Sequence, residues 1–179
     1  MENSQPAQLK NVNFLNATVF GLQHVFLEPG MVGIVLGSLD LFRKEGLIYV
    51  YAFTVMPSNF FAIIKLRNAT IQQIVQDFDS YTSGPILKQL QLDDRSHLHQ
   101  FLSSHKNNQN LPSIWQGVYG MKIGSTIQLE QRLELIHNTV MESQWQLVKD
   151  RAEYRYSSAC FYDRGQTPLI PVDDIRTTL

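Results

Sequence analysis

Of the five histidines in this 179-residue chain, only His97 and His99 stand at a spacing that two ligands of one metal ion can share. Imidazoles at i and i+2 meet one ion when they sit on a strand, where alternate side chains share a face. The surroundings argue against a strand. Asp93-Asp94-Arg95-Ser96 precedes the pair, Gln100-Phe101 follows it, and no apolar alternation runs through it. On a helix, side chains two residues apart point about 200° from each other and cannot share an ion. The pair reads as solvated surface histidines, with His105 a third imidazole near enough only for adventitious zinc. His24 sits alone in a loop-like stretch and receives no role. Cys160 is the single cysteine, so no internal disulfide forms, and a lone thiol points to a reducing compartment.

The elements around these residues alternate between strand and helix. Val12 to Phe20 is rich in β-branched and aromatic residues and reads as a strand. Glu28-Pro29-Gly30 is a break. Ile34, Val35, Leu39 and Phe42 then recur at helical spacing up to Gly46, although Gly33 and Gly37 each cost about 1 kcal/mol relative to Ala. Tyr49 to Leu66 is a pair of strands joined at Met56-Pro57-Ser58. Thr70 is a helix N-cap before the stripe Ile71, Ile74, Val75 and Phe78. Gly84-Pro85 is expected to kink or break that helix. Asp93 to Pro112 is polar and reads as a short helical piece followed by a surface loop. Ile114 to Tyr119 is a short strand. Ser125 caps a helix whose core stripe is Leu129, Leu133, Ile136 and Val140. The tail from Trp145 mixes aromatic and turn residues and is expected to wrap over the core. The order β-α-β-β-α-β-α predicts an α+β fold, an antiparallel β-sheet with helices packed mainly on one face. The expected organisation is a flexible N-terminus over 1–10, one domain over 11–165 and a C-terminal tail over 166–179.

Composition bounds the function. Hydrophobic residues make up 44% and charged residues 17%, with a formal net charge of −1 and a pI near 6.5. Dedicated nucleic-acid binders are usually basic, so this balance lowers the expectation of DNA binding without excluding a local basic patch. No apolar run approaches the roughly 18 residues of a membrane span. The N-terminal residues lack the pattern of a secretory signal. Cytoplasmic placement and no membrane partner are expected.

Five segments, in order, resemble one family. They are Met56-Pro57-Ser58-Asn59-Phe60-Phe61, Phe78-Asp79-Ser80-Tyr81-Thr82-Ser83, Ile114-Trp115-Gln116, Arg132 to Met141, and Trp145 to Val148 with Tyr154-Arg155-Tyr156-Ser157-Ser158-Ala159. Together they are similar to the single-tyrosine HUH transposases, in the REP-associated tyrosine transposase branch, from about residue 13 to about residue 165. The resemblance implies a ferredoxin-like or RRM-like fold and a bacterial source. It also implies a DNA-nicking chemistry: two strand histidines and a polar side chain of the last helix hold a divalent metal that polarises a phosphate. A tyrosine on that helix then attacks the phosphate.

The chain departs from the family at each of those places. Asn59 and Phe61 stand where the two histidines are expected, Leu135 where the tyrosine is, and Thr139 where the third ligand is. Tyr81 and Tyr119 lie outside the last helix and read as packing or surface residues rather than replacement nucleophiles. His137 matches a helix histidine that is not the nucleophile, and packing or a hydrogen bond is its expected role. Leu135 either packs against Phe61 as a dry contact, the preferred reading, or joins an exposed apolar patch. The resemblance therefore implies the fold and argues against the activity. The expectation is a catalytically inactive, domesticated relative without the divalent metal. Its partner is a DNA hairpin or single-stranded DNA held through Lys65, Arg67, Lys88, Lys122 and Arg132. The alternative is a protein-interaction module, with a homodimer as the first partner because relatives pair about two-fold axes.

Overall fold

In a computed structural model the described residues are 9–177. β1 (Val12–Val19) is central to the sheet, and its side chains alternate between two buried layers. Leu15, Ala17 and Val19 point into a large apolar core, while Val12 and Phe14 point into a smaller one. β2 (Ile48–Val55) and β3 (Asn59–Leu66) form the expected hairpin, and β4 (Trp115–Lys122) completes an antiparallel sheet of order β2-β3-β1-β4. A register shift between Val50 and Ala52 sends both Tyr51 and Ala52 into the smaller core.

The larger core is closed by α1 (Pro29–Lys44) and α2 (Ile71–Leu92), and α3 (Ser96–Ser103) packs on α2. Pro29 stands at the start of α1, where its missing N–H costs nothing, so the expected break is a helix start. Thr70 caps α2 by accepting from Gln73 N at 3.2 Å. Of the kink or break expected at Gly84-Pro85, the break does not occur. The carbonyl that loses its partner to Pro85 belongs to Tyr81, which is exposed to water, as are Gly84 and Pro85. Thr82 and Ser83 before the proline and Ile86, Leu87 and Leu90 after it are all buried, which keeps the helix continuous through it.

The opposite face is closed in part by α4 (Thr126–Asn138), whose Leu129 and Ile136 enter the smaller core. Ser125 caps it through Gln128 N at 3.2 Å. The tail runs along the outer edge of β2, as expected of a segment that wraps the core. Tyr156 O accepts from Val55 N at 2.9 Å, Phe53 O from Ser158 N at 3.0 Å, and Val50 O from Asp173 N at 2.7 Å. These bonds satisfy backbone groups that an open edge would present to other chains. α5 (Ala159–Arg164) follows, and Ile170 and Ile175 are buried beyond it. Residues 1–8, most of the expected flexible N-terminus, lie outside the described residues; Leu9 is buried. No described helix is long and apolar enough to cross a membrane.

Candidate functional site

β1, β3 and β4 present a small grid of side chains on the face that α4 covers only in part. Register places Thr18 between Asn59 and Gly117, Asn16 between Phe61 and Tyr119, and Phe14 between Ile63 and Met121. Strand alternation puts all nine on one face. Phe14 and Phe61 stack with centroids 6.0 Å apart and planes 15° apart. The Arg132 guanidinium of α4 lies 4.7 Å from the Phe14 ring centre, within cation–π range.

One end of this grid is a pocket of about 420 Å³ lined by Asn59, Phe61, Thr139, His24, Met56, Gln144 and Trp145. The three sequence positions Asn59, Phe61 and Thr139 thus converge, β3 contributing two and the turn after α4 the third. Asn59 Nδ2 donates to Thr18 Oγ1 at 2.9 Å, and Asn59 Oδ1 accepts from Ser58 Oγ at 2.9 Å. The amide is therefore tied to the sheet. Phe61 offers only carbon, and Met56 is buried. One imidazole, two neutral amides (that of Asn59 already engaged) and one hydroxyl make a poor donor set for a divalent ion, which takes several strong oxygen or nitrogen ligands. Among the described residues no three His, Cys, Asp or Glu side chains come together as a metal site.

Leu135 is placed differently from the preferred reading. It is 40% exposed, so it is not withdrawn into a dry contact with Phe61, whose stacking partner is Phe14. Its neighbour Ile136 takes the inward position, and the 100° step of the helix leaves Leu135 on the flank. There it lines a second groove, of about 540 Å³, with Phe14, Met121, Lys122, Gln128, Gln131 and Arg132.

This groove gathers two of the five basic candidates, Lys122 and Arg132. The other three lie elsewhere. Lys65, near the end of β3, and Arg67, just past it, do not line this groove, and the Arg67 guanidinium covers the Tyr49 ring at 4.5 Å. Lys88 is exposed on α2, against the opposite face of the sheet.

The remaining motif residues brace the fold. Asp79 Oδ1 accepts from Ser83 Oγ at 2.6 Å and Ser113 Oγ at 2.7 Å, and its Oδ2 accepts from Asn107 Nδ2 at 2.8 Å. Trp115 Nε1 donates to Thr82 Oγ1 at 2.7 Å. These bonds latch residues 105–115 onto α2. His105 stacks on Phe20 at 4.1 Å, and its Nε2 bonds to Trp115 O at 2.9 Å. His97 and His99 lie on α3, a helix, as their context predicts.

His137 Nε2 is 2.9 Å from Ser158 Oγ, which in turn accepts from Phe53 N at 3.0 Å. The bond joins α4, the tail and β2, and it bears out a packing role for this imidazole. Burial, aided by the nearby Arg151 charge, pushes the His137 pKa down to about 4. Arg151 grips Asp163 at 2.7 Å and Glu134 at 2.7 Å, tying α4 to α5. Sequence reasoning missed His24 and Trp145, whose rings lie 5.7 Å apart at the pocket mouth. Both sit in irregular segments, where no periodicity reports which way a side chain faces.

No known protein family matches this chain, and no curated protein does. A solved structure described as a REP-associated tyrosine transposase bound to a REP hairpin has a similar fold. It aligns at a TM-score of 0.61 over 98% of this chain and 93% of that one, at 13% sequence identity. That likeness establishes the α+β transposase-like fold, with the four-stranded antiparallel sheet and helices described above, and at this identity it speaks for the fold alone.

Proposed function

We propose that this protein is a non-catalytic DNA-binding module that holds a hairpin or a single strand in the groove between α4 and β4. The observation that carries the proposal is that Lys122 and Arg132 line one groove, edged by the exposed side chains of Met121 and Leu135. Cations that meet phosphate and exposed side chains that meet bases are the two ingredients of single-strand binding. The similar fold seen with a bound hairpin supports the same reading. The proposal includes loss of the cutting chemistry. Asn59, Phe61, Leu135 and Thr139 supply neither a fitting set of metal donors nor a phenol.

Fluorescence anisotropy with a labelled hairpin and a labelled single strand, read across salt, tests this. Two phosphate contacts predict a log–log salt slope of about −1.4 on a single strand. Lys122→Glu with Arg132→Glu is expected to weaken binding at least tenfold, with only a small fall in melting temperature from loss of the Arg132–Phe14 contact. Absence of binding to both probes at low salt overturns the proposal, and metal-dependent nicking of either probe overturns its non-catalytic part.

A protein-interaction reading rests on a separate observation. Ile127, Met121 and Leu135 are 67%, 42% and 40% exposed near the same groove. A second copy of the chain is the partner that reading names, and a dimer by light scattering that DNA does not disturb would favour it.

A further inference from the structure

We infer that an unpaired DNA base stacks on Tyr119 and presents its edge to an amide-lined pocket between α2, the 105–112 loop and β4. The inference rests on the DNA-binding reading above and names how one nucleotide would be held beyond the basic groove.

Tyr119 is 60% exposed in the middle of a strand. Its ring lies along the strand with the hydroxyl edge over Gly117, and a Cβ at Gly117 would collide with that ring. Glycine at 117 is therefore what allows the ring to lie down on the sheet instead of standing away from it. An aromatic ring held against a sheet with an open face is a stacking surface that accepts any base.

At the free edge of β4, Tyr119 also lines a pocket of about 340 Å³. Gln72 and Gln76 come from the exposed side of α2, Gln116 from β4, and Lys106 from the loop. Each glutamine amide carries two donors and an acceptor, the complement of a base edge. Lys106 supplies a cation for the phosphate that accompanies the base. Asp79 also lines the pocket, but Ser83, Ser113 and Asn107 already occupy its two oxygens.

The loop wall is built in advance of any ligand. Asn107 Oδ1 accepts from Gln109 N at 3.0 Å and Leu111 N at 3.1 Å, and Asn107 N donates to Leu111 O at 2.9 Å. A pre-ordered wall does not spend affinity on ordering itself. The path from Lys122 and Arg132 across Met121 to Tyr119 follows β4, so one extended strand can touch both sites.

The test uses the full chain with two probes, a single strand carrying one 2-aminopurine and a blunt duplex of the same length. The single strand is expected to bind at least tenfold more tightly than the duplex, with its 2-aminopurine fluorescence quenched on binding. Tyr119→Ala is expected to lose about tenfold affinity for the single strand and the quenching, with the salt slope unchanged. Tyr119→Phe is expected to keep both, because stacking needs the ring and not the hydroxyl. Gly117→Ala is expected to reduce the quenching by lifting the ring. Wild-type affinity and quenching in Tyr119→Ala would overturn the inference while leaving the DNA-binding reading intact. If the wild type binds neither probe, the DNA-binding reading fails and the inference fails with it. Quenching by the wild-type protein gives a readout that does not depend on any variant folding.

Discussion

The second face of the sheet is divided into two halves that have been treated in opposite ways. Over β2 and β3, α4 and the tail close it, and Tyr51, Ala52, Ile63 and Ile136 are buried together. Over β4 and the Asn16–Thr18 end of β1 it stays open, with Tyr119 and Met121 exposed, whereas Val12 and Phe14 of β1 are buried. The closed half also spends its polar groups on itself: His137, Ser157 and Ser158 bond to one another's elements and to β2. The open half leaves the Arg132 guanidinium and the Tyr119 ring on the surface. Stability and binding are therefore assigned to different halves of one surface, and substitutions should separate them.

The largest expected effect lies in the closed half. Ile136→Ala removes a fully buried side chain and is expected to cost about 2–5 kcal/mol of stability. Chemical denaturation measures that loss, while DNA affinity measured well below the unfolding midpoint should not change. A parallel loss of affinity and stability would break the division.

Acid should attack the same half next. The unfolded His137 imidazole titrates near 6.5 and the folded one near 4. Between those values the unfolded chain binds more protons, so this contribution is whole above pH 6.5 and disappears as pH falls to 4. Its full size is about 3 kcal/mol. Melting temperature against pH should show the decline, and His137→Gln should flatten it.

The smallest effect is expected in the open half. Asn16 Oδ1 is buried with no hydrogen-bond partner among the described residues. Leaving an acceptor so placed costs about 1–3 kcal/mol, and removing it with an apolar group of similar shape recovers part of that. Asn16→Val should therefore raise stability by about 1 kcal/mol in a denaturation curve. A destabilised Asn16→Val would mean that the amide holds the grid together.

Much of this molecule was legible before its structure. The strand pair around Met56-Pro57-Ser58, the caps at Thr70 and Ser125, and the stripe through Leu129 and Ile136 all stand where local chemistry places them. The break allowed for at Pro85 does not occur because its local cost, though real, is outweighed by buried neighbours on both sides. Leu135 was misread because apolarity suggests burial, whereas the helix phase set by Ile136 turns it outward. Tyr119 was passed over because its exposure depends on a missing Cβ two residues away and on a gap that α4 leaves uncovered. Neither fact is local to Tyr119.

By itself, the sequence determined the order of elements, the α+β class and the residue types at the four positions where cutting chemistry would sit. Periodicity, caps and turn residues act over a few neighbours, so they can be read along the chain. Only the tertiary structure decided that Asn59, Phe61 and Thr139 share one pocket, that Lys122 and Arg132 meet while Lys65, Arg67 and Lys88 do not, and that half of a sheet face remains open. Those outcomes depend on register between distant strands and on how far one helix reaches across them, and both are set by long-range packing.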